Sequence, residues 1–290
     1  MKLTKNQQLY NDLIIKLLSE LYNNLDVNSI YKNIKRDREV ILDRISRVLL
    51  TYTIDNSRLV LSVGDRDKLY KDLSAIIDNL CKEEITTEKK LITKTLKKSA
   101  KDRYGINNYI LSLGVDFKLK KIADKELDKI IKATIKGKNY SSRIWDNKNQ
   151  IAKVLKSDIK KFLNGEIDVN SIEKKIKDRF NSNAYNSKRL VETEVARVME
   201  ESNNKWQEDR NIEYVMYCAT LDNKTCDKCK QYDSKVYKKG EEPVKLPQHP
   251  LDRCTYVALP SKDWRPKARL DNKTKENINW KSYKEWEASN

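Results

Sequence analysis

The segment that decides the architecture is residues 219–259, which read ATLDNKTCDKCKQYDSKVYKKGEEPVKLPQHPLDRCTYVAL. It holds Cys226 and Cys229 with two residues between them, followed by His249 and Cys254. Three thiolates and one imidazole form the ligand set of a closed, tetrahedral zinc site. His249 is the only histidine in the chain, so chemistry that needs an imidazole has one place to occur. The sequence therefore predicts a structural Zn²⁺ bound by these four residues.

Other interpretations of the cysteines remain open. A pair separated by two residues also occurs in thioredoxin-like redox sites, but that pair begins a helix after a strand of a βαβ unit, and the flanks here predict hairpins. A disulfide is a second alternative, which the odd count of five cysteines and the expected reducing compartment disfavour. Cys218 could replace His249 in an all-cysteine site, although its place in a strand favours a buried position. Cys81 is interpreted as a core thiol of a helix.

Catalysis finds little support in the sequence. A hydrolytic zinc site keeps an open coordination position, whereas the four predicted ligands fill the sphere. The chain has no HExxH motif, no zinc-deaminase pattern and no glycine-rich nucleotide loop. We therefore expect that the protein is not an enzyme, and a metalloenzyme with an open zinc site is the weakest of three hypotheses.

Composition indicates a mainly helical fold. Six glycines and five prolines in 290 residues leave few turns, and 38% of the residues are apolar and recur at regular spacing. We predict a mainly α protein, in which an elongated multi-helix body carries a small C-terminal zinc-stapled β module, α+β overall. A module of about 50 residues is near the size at which a metal is needed to hold a fold together.

Apolar stripes at helical spacing predict the individual helices. They cover residues 9–25, a helix from about 28, and then 69–96, 118–131, 141–163, 169–180 and 188–208. The glycines Gly105 and Gly114 and the polar stretch 181–187 are predicted to interrupt helices, and Gly165 is predicted to end one in the C′ position. Alternating patterns predict strands at 212–219, 235–238 and 255–259.

These elements suggest four regions. They are an N-terminal helical region (1–138), a second helical region (139–210), the zinc-knuckle β module (211–260) and a tail (261–290). The tail carries Trp264, Trp280 and Trp286. Its polarity suggests either that it docks on a partner or that its tryptophans pack back onto the chain's own helices.

The chain is strongly basic. Its formal net charge is +17, and the interval from Glu88 to Lys138 holds 15 basic and six acidic residues. A polyanion is the partner that such a charge fits. Candidate nucleic-acid contacts are Lys97, Lys98, Lys118, Lys120 and Lys121. The alternative is that base composition of the genome enriched these lysines and that they coat solvated helix faces.

The cysteine cluster and its flanks resemble a known family. Thr220 and Asp222 end a strand, the cysteine pair and a Val-Tyr strand follow, and Pro-x-His-Pro leads to Arg-Cys at 253–254. Upstream, 189–194 is similar to an Arg-Leu-x-x-Thr-Glu helix, and 140–145 resembles a Ser-x-Arg-x-Trp segment. This order resembles the tailed-bacteriophage minor head proteins, the head morphogenesis family that includes the Mu protein F-like proteins, over about residues 140–259. Many relatives carry a further cysteine where this chain has Asp252.

The resemblance implies a minor structural protein of a tailed-phage virion. Such a protein lies inside the capsid near the portal, aids head assembly and DNA packaging or ejection, and is made in the host cytoplasm. The implied partners are the portal protein, a capsid or scaffolding protein and packaged double-stranded DNA; no membrane partner is expected. The alternative function is a free-standing zinc-containing nucleic-acid-binding protein.

Overall fold

The computed structural model describes residues 27–112 and 121–289. The predicted helix 9–25, Gly114 and two of the candidate DNA-contacting residues, Lys118 and Lys120, lie outside the described residues. Within them the helices are α1 Val27–Thr51, α2 Val63–Ser112, α3 Asp124–Lys132, α4 Tyr140–Leu163, α5 Val169–Asp209, α6 Asp227–Lys230 and α7 Tyr283–Ala288. The strands are β1 Ile54–Asp55, β2 Arg58–Leu59, β3 Tyr214–Cys218, β4 Val236–Lys238, β5 Thr255–Leu259, β6 Ala268–Leu270 and β7 Asn277–Asn279. The predicted mainly helical fold with small sheets is confirmed.

The chain divides into two compact units. The helical unit is formed by Asp26–Lys94 and Thr134–Val191. The mixed unit contains, among the described residues, parts of Thr95–Ala133 and of Glu192–Asn290. The long helices α2 and α5 contribute residues to both units.

The helical unit is built on the stripes seen in the sequence. In α1 the buried apolar residues follow the three- and four-residue spacing that places side chains on one helix face, and α4 does the same. Gly165 ends α4 as predicted, with a φ of 72°. Its amide donates to the Phe162 carbonyl, and the next amide donates to Lys161. This left-handed C′ position is one that glycine adopts without steric cost.

Two predicted interruptions are wrong. The polar stretch 181–187 is not a loop, because α5 runs through it without a break. Gly105 likewise lies inside α2. The polar residues Asn183 and Ser187 are buried and hydrogen-bonded to other buried side chains, so polarity here marks a buried ionic cluster and not solvent exposure.

The centre of that cluster is Lys148 of α4, which is 2% exposed. Its Nζ lies 2.9 Å from Glu84 Oε2 and 2.6 Å from Glu88 Oε2, both on α2. Asn183 and Ser187 of α5 accept from the same ammonium at 2.8 and 3.2 Å and donate back to the two glutamates. The ammonium is thus paired and hydrogen-bonded on all sides, which is the condition under which a buried charge is tolerated.

A second buried carboxyl, Asp37 of α1, lies beside this cluster. Its Oδ1 accepts from Arg36 at 2.8 Å, whereas its Oδ2 is buried without a hydrogen-bond partner. Burial raises the pKa of Asp37 to about 6, and the neighbouring Glu84 carboxyl acts in the same direction. Protonation of Asp37 removes its repulsion with the Glu84 carboxylate, so the acid form of Asp37 suits its surroundings.

The mixed unit contains a three-stranded antiparallel sheet in the order β4–β3–β5. The predicted strands are therefore confirmed, with Tyr214 paired to Leu259 and to Lys238. Helix α5 is fastened to β5 by buried polar side chains. Glu200 accepts from the Thr255 hydroxyl at 2.6 Å and from the Tyr256 amide at 3.2 Å, and Asn203 donates to the Tyr256 carbonyl at 2.8 Å.

The C-terminal segment folds onto this sheet. Trp286 of α7 is 2% exposed and belongs to a core cluster with Val215, Tyr217 and Tyr256. Its Nε1 donates to Asp271 Oδ2 at 2.7 Å. Trp286 therefore packs back onto the chain, but against the sheet and not against the long helices as one alternative predicted. Trp264 is 38% exposed.

A buried ion pair holds the same segment. The Arg269 guanidinium lies 3.0 Å from Asp233 Oδ2 and donates to the carbonyls of Ala219 and Lys281. Asp233 in turn accepts from the amides of Ala219 and Tyr283. One ion pair thus joins the end of β3, the loop after α6 and the C-terminal helix.

We predict that Asp37→Asn changes how stability depends on pH. Because the folded-state pKa lies above the unfolded value, protonation of Asp37 contributes stability that is complete below about pH 4 and is lost as the pH rises through about 6. Asparagine keeps the neutral form at every pH. The melting temperature of the variant should therefore exceed that of the wild type by a few degrees at pH 8 and differ little at pH 4.5.

The matched control is Asp43→Asn, which alters an exposed carboxylate of the same helix that pairs with Arg47. This control should follow the wild-type profile. Parallel pH profiles for Asp37→Asn and the wild type in circular-dichroism melts would contradict the argument.

We predict that Trp286→Ala destabilises the mixed unit by about 3–5 kcal/mol, the usual cost of deleting a buried aromatic side chain. Trp286→Phe should cost less, because it removes the bond to Asp271 while retaining most of the packing. Trp264→Ala is the control and should be nearly neutral. Hydrogen exchange of the β3 amides during urea titration measures the effect, and equal protection in the alanine variants at 264 and 286 would refute it.

Candidate metal centre

The first part of the centre is a one-turn knuckle. Cys226 immediately precedes helix α6, and the Cys229 amide donates to the Cys226 carbonyl at 2.9 Å. This turn places the two sulfurs on one side, 3.5 Å apart. Two sulfurs bound to one tetrahedral zinc at about 2.3 Å each would lie roughly 3.8 Å apart. The knuckle geometry is therefore close to that of a bound pair.

The second part is the imidazole of His249. Its Nε2 lies 3.3 Å from Cys226 Sγ and 3.6 Å from Cys229 Sγ. Its Nδ1 lies 2.9 Å from the Pro250 carbonyl oxygen. A carbonyl oxygen can only accept, so Nδ1 carries a proton, and in the neutral imidazole Nε2 then presents its lone pair to the sulfurs. Metal-binding histidines are commonly oriented by such a bond on the other ring nitrogen.

The third part brings Cys254 and Asp252 to the other side of Cys229. The three donor atoms of Cys229, Asp252 and Cys254 lie within 4.8 Å of one another, as do those of Cys226, Cys229 and His249. Cys229 therefore belongs to both groups. The structure therefore brings Cys226, Cys229 and His249 together, whereas Cys254 meets Cys229 and Asp252 in a second triad and does not join the first.

Gln248 and Tyr217 form a hydrogen bond next to Cys229. Gln248 Nε2 donates to the Tyr217 hydroxyl at 3.0 Å and lies 3.7 Å from Cys229 Sγ. Tyr217, in the central strand β3, is fully buried. Donors directed at a sulfur stabilise a thiolate, which is the form that binds metals.

The thiols next to one another have unequal proton affinities. A hydrogen bond from the Cys254 thiol lowers the pKa of Cys229. The same contact with Cys229, together with burial, raises the pKa of Cys254. The contact between the two sulfurs thus favours ionisation of Cys229 and opposes that of Cys254. A cation bound by both sulfurs would replace the thiol proton of Cys254.

The donor set fits zinc. Two thiols and an imidazole nitrogen already lie at separations near those of a tetrahedral site, and sulfur with nitrogen donors is the chemistry that zinc accepts. Calcium and magnesium prefer sites made entirely of oxygen atoms, whereas Asp252 is the one oxygen donor in these two triads.

Cys218 and Cys81 lie outside the candidate metal centre. Cys218 belongs to neither triad, and burial raises its pKa to about 12, as expected for an unreactive thiol in a protein interior. Cys81 lies half-buried on α2. Within the described part of the chain, neither belongs to a group that could hold a metal ion.

Two of the three described candidate nucleic-acid contacts form ion pairs with carboxylates. Lys97 pairs with Asp128 at 3.3 Å, and Lys98 pairs with Asp102 at 3.3 Å. Lys121 is exposed. The acidic residues that interrupt the basic interval therefore neutralise part of its charge locally.

Asp252 is the residue that sequence reasoning did not assign to the site. The available signal was its position two residues before Cys254, where relatives in the resembled family carry a cysteine. Its side chain is 3% exposed, a burial that an aspartate in a polar loop does not suggest.

The fold and the site together define a class: a mainly helical protein that carries a small β sheet with a knuckle of cysteine and histidine. Residues 149–257 match the model of the family described as Phage Mu protein F like protein. This match agrees with the resemblance drawn from the sequence. Searches of curated proteins and of solved structures gave no match. Across residues 27–112 and 121–289, none of the helices has the length and apolarity that a membrane span requires.

We predict that Cys229→Ser abolishes metal retention, because this residue is shared by both triads. After expression with zinc and dialysis, the wild type should retain about one ion per chain and the variant close to none. Trypsin should then cleave the variant rapidly between Asp222 and Cys254, while the helical circular dichroism persists. Cys81→Ser is the control and should match the wild type. Equal zinc content in the two serine variants would disprove the assignment.

Proposed function

We propose that the protein is a minor structural component of a tailed-phage head, located inside the capsid near the portal, and that it acts in head assembly and in packaging or ejection of DNA. The observation that carries the proposal is the family match over residues 149–257. That interval includes the knuckle cysteines and His249, so the matched segment is also the one that holds the candidate metal centre.

The proposed role of the metal is structural. Zn²⁺ would be held by Cys226, Cys229 and His249, with Cys254 as the predicted fourth ligand. When bound, zinc would cross-link the loop after β3 to the loop before β5. Four protein donors leave no open position for a substrate, so we propose no enzymatic activity. A structural ion also suits a three-stranded sheet, which buries little apolar area by itself.

The proposed partners are the portal protein, a capsid or scaffolding protein and packaged DNA. The net charge of +17 supports contact with DNA phosphates or with acidic capsid surfaces. Binding that depends on phosphate contacts weakens steeply as the salt concentration rises. The pairing of Lys97 and Lys98 with carboxylates favours a protein surface over DNA for that part of α2.

The alternative function is a free-standing zinc-containing nucleic-acid-binding protein. It predicts sequence-dependent DNA affinity that survives moderate salt, whereas the head protein requires at most salt-sensitive, sequence-independent contact. The chain itself offers no observation that favours this alternative over the family match.

We predict that the protein co-purifies with the portal protein of its own phage when the two are co-expressed. In purified virions it should be present in few copies and resist protease until the head is opened. Immunoblotting of gradient-purified particles before and after head disruption measures both properties. A protein absent from washed virions, with sequence-specific DNA binding at 150 mM salt, would transfer the assignment to the alternative.

A further inference from the structure

The loop of residues 248–254, here called the metal loop, carries two of the predicted zinc ligands, His249 and Cys254. A flexible loop would have to be ordered each time that an ion binds, and this ordering would weaken the affinity. Two side chains outside the predicted ligand set contact the loop backbone. The inference drawn from them rests on the proposed zinc site.

Asp252, a residue of the metal loop, joins the two ends of that loop through its carboxylate. Its Oδ2 accepts from the Gln248 amide at 2.8 Å, and its Oδ1 accepts from the Cys254 amide at 3.0 Å. These amides stand at the two ends of the loop, so one carboxylate joins both ends. The carboxylate is almost fully buried, and its Oδ1 lies 4.0 Å from Cys229 Sγ. Burial excludes the water that would otherwise compete for these bonds.

Thr193 holds the loop from helix α5. Its Oγ1 accepts from the Leu251 amide at 3.1 Å. Leu251 has a φ of 65°, a left-handed conformation that costs a leucine on the order of 1 kcal/mol. The hydrogen bond fixes the backbone at this strained residue, midway between His249 and Cys254. The strain persists because the surrounding contacts determine it.

A buried ion pair fixes the part of helix α5 that carries Thr193. The next residue of α5, Glu194, accepts from Arg197 Nε at 2.8 Å. The Arg197 guanidinium donates to the Ile130 and Ile131 carbonyls at the end of α3. Both charged side chains are buried. The Thr-Glu pair of the sequence motif at 189–194 therefore has two tasks: Glu194 fixes the helix, and Thr193 reaches the metal loop.

We propose that Thr193 and Asp252 are positioning residues for the metal: they hold His249 and Cys254 at Cys229 without binding the ion themselves. Loss of such outer contacts typically lowers metal affinity by about 10- to 100-fold. The ligand atoms stay in place in these variants, so the identity of the bound donors should not change.

The experiment measures affinity by competition with a chromogenic chelator, using Zn²⁺, and the donor set by the absorption spectrum of the Co²⁺-loaded full-length chain. Thr193→Val and Asp252→Asn should each weaken Zn²⁺ binding by about 10-fold or more. Thr193→Ser keeps the hydroxyl and should bind as the wild type does. The Co²⁺ band positions of both weakened variants should equal those of the wild type.

Two matched controls exclude general effects of substitution. Thr86→Val alters a helix threonine whose hydroxyl donates to the Lys82 carbonyl of its own helix. Asp227→Asn alters the aspartate between the knuckle cysteines, whose side chain is exposed to solvent. Neither should change the affinity.

The outcomes separate this inference from the proposed zinc site. Wild-type protein that binds no metal would defeat both. Wild-type protein that binds zinc, with unchanged affinity in Thr193→Val and Asp252→Asn, would overturn the positioning roles alone. Shifted Co²⁺ bands in Asp252→Asn would show that Asp252 binds the ion, which would overturn its role as a positioning residue.

Discussion

The attachment of helix α5 to strand β5 is the constraint on which the mixed unit depends. Glu200 accepts from the backbone and side chain of consecutive residues of β5, and Asn203 returns a bond to the same strand. Because β5 directly follows Cys254, this attachment also fixes where the metal loop ends. The sheet supplies the opposite boundary, since β3 leads into the segment that carries the knuckle. The knuckle cysteines and the metal loop are thereby brought next to each other.

Buried polar groups recur in both units and have a common form. In the helical unit, Lys148 pairs with two glutamates. In the mixed unit, Arg269 pairs with Asp233, and Arg197 pairs with Glu194. In each case backbone or amide groups satisfy further hydrogen bonds. Such pairs contribute little net stability compared with apolar packing, yet removal of one partner leaves a charge stranded in the interior. They specify which surfaces meet in a chain whose helices otherwise present similar stripes of isoleucine and leucine.

The sequence predicted what depends on local spacing. The stripes of α1 and α4, the glycine that ends α4 and the three strands of the sheet appear where the pattern indicates them. The sequence-based prediction was wrong where tertiary contacts bury polar residues that would otherwise indicate a loop. Asn183 and Ser187 suggest a loop in isolation, but their partners on α2 and α4 make them interior residues. The proximity of Cys226, Cys229 and His249 was predictable because cysteines and a histidine at this spacing are typical of a zinc site. Asp252 was not, because its role depends on two amides brought together only by folding.

The short distance between the two knuckle sulfurs has a chemical consequence. Thiols held 3.5 Å apart in one turn need little movement to be joined by an oxidant, and a filled coordination sphere protects them from that reaction. In the phage head protein that we propose, a bound ion would keep these sulfurs reduced outside the cell, where free thiols are otherwise oxidised. The ion would then protect these cysteine side chains from oxidation in the extracellular virion, in addition to cross-linking the two loops.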